Sequence, residues 1–141
     1  MLRGACSPHR GLDGRQRRGL AEAMESTPTA WSEADAFLSD LLVGPDADLE
    51  SALSAQREAG LPEIEVAPVA GKLLNLLVRI SGARRVLEVG TLGGYSTIWL
   101  ARAVGPGGRV VTIEAESDNA AIARASIDAA GVGDRVDIRV G

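Results

Sequence analysis

The chain has 141 residues, 45% of them hydrophobic and 24% charged, which fits one globular domain with its own core. Its net charge of −4 is uneven: Arg3, Arg10, Arg15, Arg17 and Arg18 face only Asp13 near the start, so the remainder is acidic, and with 3% aromatics it suits nucleic acid poorly. Cys6 is the single cysteine and His9 the single histidine, which excludes an intrachain disulfide and a Cys/His zinc cluster.

Residues 1–30 are rich in Gly, Arg, Ser, Thr and Pro without apolar periodicity, and they predict a disordered basic tail. Met24 is a plausible alternative start within it. No apolar run approaches the roughly 20 residues that span a bilayer. No secretory signal is legible, so a cytoplasmic location is expected, with no membrane partner.

Residues 31–82 predict a group of helices. Ser32-Glu33-Ala34-Asp35 resembles a capping box, opening a helix with Phe37, Leu38, Leu41 and Leu42 on one side. Gly44-Pro45 stops it. A second helix is expected from Asp46 to Ala59, with Leu49 and Leu53 inward and Glu50, Gln56, Arg57 and Glu58 in water. Pro68 opens a third, with Val69, Leu73, Leu74, Leu77 and Ile80 at helical spacing, ended by Gly82. Lys72 on this helix reads as a surface lysine.

Residues 83–141 alternate strand and helix. Arg85 to Val89 is a short buried strand, Ser96 to Val104 a helix, and Val110 to Glu114 a second strand. Ser117 to Ala130 is an Ala-rich helix, and Val136 to Val140 alternates as a third strand. This order predicts a parallel sheet with right-handed crossovers and a ligand at the carboxyl ends of the strands.

The segment Glu88-Val89-Gly90-Thr91-Leu92-Gly93-Gly94-Tyr95-Ser96 joins the first strand to its helix. Gly90 can turn sharply off the strand. Gly93 and Gly94 are expected to let the backbone approach a ligand. The helix start near Ser96 offers free N–H groups to a phosphate or a carboxylate. A dinucleotide site needs a second glycine where Leu92 stands, so a nicotinamide-linked oxidoreductase is the weakest reading. Glu88 would repel a pyrophosphate but attract an ammonium. Glu114, ending the second strand, can accept ribose hydroxyls. An ammonium, a carboxylate and a ribose together describe S-adenosylmethionine.

From Ile64 onward the sequence resembles the O-methyltransferases related to the caffeoyl-CoA and catechol enzymes. The resemblance rests on Ile64-Glu65-Val66-Ala67-Pro68, on the 87–96 turn ending Gly94-Tyr95-Ser96, on Val111-Thr112-Ile113-Glu114, and on residues 130–136. It implies a Rossmann-like class I methyltransferase fold with helices on both faces of the sheet, of which this chain holds the cofactor half.

It also implies site roles. Val66 lines the methionine side of the cofactor, and Glu88, Gly90 and Thr91 form the first loop wall. Ser96 holds the methionine carboxylate, Glu114 the ribose, and Ala115 lies beside the adenine. The family's metal ligands and base follow later in its sequence, so no catalytic or metal-binding residue carries over. Magnesium is expected only in a relative of full length. The reading is therefore a methyltransferase fragment acting with a small hydroxyl acceptor, with a homodimer possible. The alternative is an inactive module whose exposed first strand completes its sheet with another chain.

Overall fold

A computed structural model describes residues 28–141. The expectations for Cys6, His9, Met24 and the tail before Pro28 lie outside the described residues. The chain divides into two units, Met1–Ala34 and Asp35–Gly141. The sheet and the site belong to the second.

Helix α1 runs Pro28–Leu42. It begins earlier than the capping-box pattern suggested and takes in residues assigned by sequence to the tail. Proline fits a first helical turn, where its missing N–H has no partner to lose. Phe37, Leu41 and Leu42 are exposed. Helix α2 spans Ala47–Glu58. The Asp46 carboxylate caps it by accepting the Leu49 N–H at 3.2 Å. At its other end Gly60 takes φ +72°, letting the Leu61 N–H reach the Gln56 carbonyl.

Helix α3 spans Pro68–Ser81 and ends at left-handed Gly82. Its apolar spacing misreads the inner face. Gly71, Asn75 and Val78 are the buried positions, while Leu73, Leu77 and Ile80 are exposed. The reason lies in its partner, α4, Tyr95–Val104. A Cβ at Gly71 would collide with the Trp99 indole, so the helices meet where a side chain is absent. Asn75 adds a buried bond from Nδ2 to the Trp99 carbonyl at 2.9 Å. Lys72 is half-buried rather than free on the surface.

Strands β1 (Arg85–Val89), β2 (Arg109–Glu114) and β3 (Val136–Val140) form a three-stranded sheet in the order β1-β2-β3. Both pairings are parallel, with Glu88 opposite Thr112 and Thr112 opposite Ile138. Helix α4 crosses from β1 to β2, and α5, Ser117–Ala129, crosses from β2 to β3. Successive right-handed crossovers moving one way across a sheet put their helices on the same side. The two crossover helices therefore share one face of these three strands, and helices on the second face of such a fold follow a reversal of strand order. The covered face carries Val110, Thr112, Glu114 and Val136, all buried. Leu87 and Val89, on edge strand β1, are 67% and 79% exposed.

The core centres on α4, whose Ile98, Trp99, Leu100, Ala101 and Val104 are buried against Leu49, Val110, Ala123 and Ile127. A helix that is apolar nearly all round belongs between layers. Here it lies between the sheet and α2, α3 and α5, so the loop at its N-terminus inherits a rigid base.

Candidate cofactor site

The site forms where β1 and β2 end. Gly90 turns off β1 at φ +88°, and a Cβ there would meet nothing within 4 Å. Its N–H donates to the Ile113 carbonyl at 2.8 Å, so the turn leaves the sheet while still tied to β2. Glycine is required at this position for its backbone angle, and the side facing outward is open.

Gly93 and Gly94 do something other than admit a ligand. A Cβ on Gly93 would lie 2.6 Å from the Gln56 Oε1, and one on Gly94 would lie 3.2 Å from the Ala123 carbonyl and from Ile127. Both glycines let the turn sit down on α2 and α5. Gly94, at φ +88°, is the N-cap of α4, which starts at Tyr95, one residue earlier than the sequence suggested. Ser96 therefore lies inside the first turn.

Leu92 has φ +50° and is the one non-glycine residue at positive φ among the described residues. That conformation costs about 1–2 kcal/mol for an L-residue. Glu114 holds it there. The Glu114 Oε2 accepts the Thr91 N–H at 3.0 Å and the Leu92 N–H at 2.8 Å. Its Oε1 accepts longer bonds from the Glu116 N–H at 3.2 Å and Asn119 Nδ2 at 3.4 Å. Burial would raise the Glu114 pKa. The N–H groups of Leu92, Glu116 and Thr91, with Asn119, outweigh it and leave the carboxyl below its ordinary range. Glu114 is thus a charged brace for the turn, and Oε1 is its less committed oxygen.

Glu88 has a comparable double engagement. Its Oε1 accepts the Ser96 hydroxyl at 2.7 Å, and its Oε2 accepts the Thr97 hydroxyl at 2.5 Å. The Ser96 proton is thereby directed at Glu88. Toward an anion, the start of α4 offers the backbone N–H groups of its first turn. Thr97 escaped the sequence reading, although a hydroxyl pair at a helix start facing an in-strand acid is a usable signal. Thr112, bonded to Thr91 through their hydroxyls at 2.6 Å, was missed as well.

Val66, Gly90, Thr91 and Ser96 share one cavity of about 210 Å³, joined by Gln56, Ile64, Glu65, Leu92 and Tyr95. Glu88 meets it through Ser96, and Glu114 through the N–H groups of Thr91 and Leu92. Ala115 is exposed beyond Glu114, outside the cavity. The volume is below the 300 Å³ or more of a usual small-molecule pocket. Burial, with Asp46 and Glu65 nearby, raises the Tyr95 pKa, keeping its hydroxyl protonated. Among the described residues no group of three or more His, Cys, Asp or Glu side chains could hold a metal. No described helix is long and apolar enough to cross a membrane.

A family model described as O-methyltransferase matches residues 47–141. The chain belongs to the O-methyltransferase family. A catechol O-methyltransferase of Mycobacterium tuberculosis is 54% identical over 109 residues, covering 77% of this chain and 50% of that protein. An O-methyltransferase from Bacillus cereus, solved in complex with S-adenosylhomocysteine, superposes with a TM-score of 0.78 at 51% identity, covering 80% of this chain and 51% of that one. The O-methyltransferase TomG from Streptomyces achromogenes, solved with S-adenosylmethionine, gives a TM-score of 0.73 at 50% identity, covering 77% and 49%. The chain spans about half the length of the curated relatives it matches.

Proposed function

We propose that this chain is the cofactor-binding half of an S-adenosylmethionine-dependent O-methyltransferase whose acceptor is a hydroxyl of a small phenolic or catechol-like molecule. The observation that carries the reading is the convergence of Glu88, Gly90 and Glu114 at the carboxyl ends of adjacent parallel strands, over the start of a buried helix. Relatives solved with S-adenosylmethionine or S-adenosylhomocysteine support it.

The residues present fit such a ligand by their chemistry. The open side of Gly90 leaves room for backbone contact. The first-turn N–H groups of α4 suit a carboxylate. Glu88 brings negative charge for an ammonium, and the Glu114 Oε1 suits ribose hydroxyls beside Ala115. Val66 closes the cavity opposite the turn. Bound there, the cofactor supplies an electrophilic methyl group. The chain's own residues bind and orient it, and no described residue is assigned as the base that takes the acceptor's proton.

Calorimetric titration with S-adenosylhomocysteine tests the reading. One-to-one binding that Gly90→Val abolishes is expected, since a β-branched side chain is strained at that φ and enters the open side. Absence of binding at about 1 mM ligand would contradict it. A second reading, that the chain completes its sheet with another copy or another chain, is favoured by the exposure of Leu87 and Val89 on β1. A discrete oligomer on size-exclusion chromatography, dispersed by Val89→Lys, is the expected sign of pairing with another copy; a monomer rules that pairing out.

A further inference from the structure

We propose that Gln56 is a positioning residue for the cofactor site, tying the connecting segment that carries Val66 to the back of the glycine turn. The proposal rests on the cofactor reading above. Gln56 lies on α2, remote in sequence from the turn, and is 1% exposed. Its Nε2 donates to the Glu65 Oε2 at 2.6 Å and reaches the Pro62 carbonyl at 3.4 Å. Glu65 immediately precedes Val66. On its other side the Gln56 side chain abuts Gly93: a Cβ added there would lie 2.6 Å from Oε1, 3.1 Å from the Gln56 Cβ and 3.3 Å from Cδ. One side chain thus touches both walls of the 210 Å³ cavity, the segment with Glu65 and Val66 and the turn with Thr91 and Leu92.

Packing alone does not account for a glutamine here. Its Oε1 is buried without a hydrogen-bond partner, and burying such a carbonyl is unfavourable. A leucine or methionine would fill similar space without that cost. What glutamine adds is a donor for a carboxylate across the gap. The reverse amide orientation would set Oε1 against the Glu65 carboxylate, two acceptors facing each other, so the donor role is fixed by chemistry. A neutral donor to an ionised acceptor is also among the stronger hydrogen bonds. The width of the cavity at Val66 is therefore set by the Gln56–Glu65 bond on one side and by the Gly93 contact on the other.

The experiment is a swap cycle on the full chain, read by calorimetric titration with S-adenosylhomocysteine and by melting temperature. Gln56→Glu sets two carboxylates together and is expected to weaken binding at least about tenfold. The double variant Gln56→Glu with Glu65→Gln rebuilds the bond with donor and acceptor exchanged, and is expected to return affinity to within about threefold of the parent. Glu65→Ala cuts the link without burying a second charge, and is expected to weaken binding about tenfold with a smaller fall in melting temperature than Gln56→Glu. That variant decides the matter where Gln56→Glu does not fold. Parent-like binding by Glu65→Ala overturns the proposal, as does a double variant no better than Gln56→Glu. A parent chain that fails to bind overturns the cofactor reading itself, and this proposal with it.

Discussion

The Glu114 carboxylate accepts the backbone N–H of Leu92 at 2.8 Å, across from the end of one strand to the turn that leaves its neighbour. The same oxygen takes the Thr91 N–H. A residue suited to ribose recognition thus also holds the one strained non-glycine residue of the turn in place. Binding residue and scaffold are not separable here, and the first prediction follows from that.

Glu114→Gln replaces an acceptor-only carboxylate with an amide that must present a donor to part of the same N–H cluster. Glu114 is 7% exposed, so water compensates little. The expected loss of stability is about 1–3 kcal/mol, read as a lowered urea midpoint with unchanged slope. S-adenosylhomocysteine affinity falls with it by at least about tenfold.

Gly90→Ala and Gly93→Ala should separate by mechanism. At Gly90 the added methyl meets nothing, so the cost is the backbone angle alone, about 1 kcal/mol, and ligand affinity suffers more than stability. At Gly93 the methyl would sit 2.6 Å from the buried Gln56 Oε1, and overpacking of about 1–3 kcal/mol appears in the melting temperature. Thermal melts of both variants, with and without S-adenosylhomocysteine, check the contrast.

Gly71→Ala tests the α3–α4 contact. The new Cβ would collide with the Trp99 indole, which is buried and cannot swing away into solvent. A loss of about 1–3 kcal/mol is expected in denaturant unfolding. Leu77→Ala, on the exposed side of the same helix, is expected to change stability by less than about 0.5 kcal/mol.

Acid should destabilise the fold through two carboxylates. For Glu114, burial is outweighed by its backbone N–H donors; for Asp46, burial is outweighed by Arg102 and the Leu49 N–H. Both native pKa values lie below the ordinary 4.5 and 3.8. The unfolded chain therefore takes up protons first as pH falls. The stability from these groups is complete above about pH 5 and is lost progressively below it, through the depressed native values. Urea midpoints at neutral pH and near pH 4 should show the fall, and Glu114→Gln should flatten it.

The strands, the turn and the second-strand acid were legible because they rest on local patterns: short β-branched runs, a glycine at a strand end, an acid at a fixed place. Strand β1, expected to be buried, is instead an edge strand with no buried residue. The inner faces of the helices were not. The 3.6-residue spacing of Leu73, Leu77 and Ile80 marks an apolar stripe, but α3 packs through Gly71 and Asn75, because the Trp99 ring fills the space a side chain would need. Gln56 read as a wet helix residue and is buried, since its partners Glu65 and Gly93 come from segments that only the tertiary fold brings together. Composition and spacing carry no record of such meetings. Gly93 and Gly94 show the same gap: their presence was evident, whereas what their missing side chains make room for depends on α2 and α5.

The central claim is that the 88–96 turn and the end of β2 together grip S-adenosylmethionine. Titration of isotope-labelled chain with S-adenosylhomocysteine, followed amide by amide in nitrogen–proton spectra, tests it most directly. The account predicts saturable shifts at Val66, Gly90, Thr91, Ser96 and Ala115. Unmoved spectra would contradict it, as would shifts confined to the hollow at the opposite end of the strands, lined by Arg84, Arg85 and Arg109.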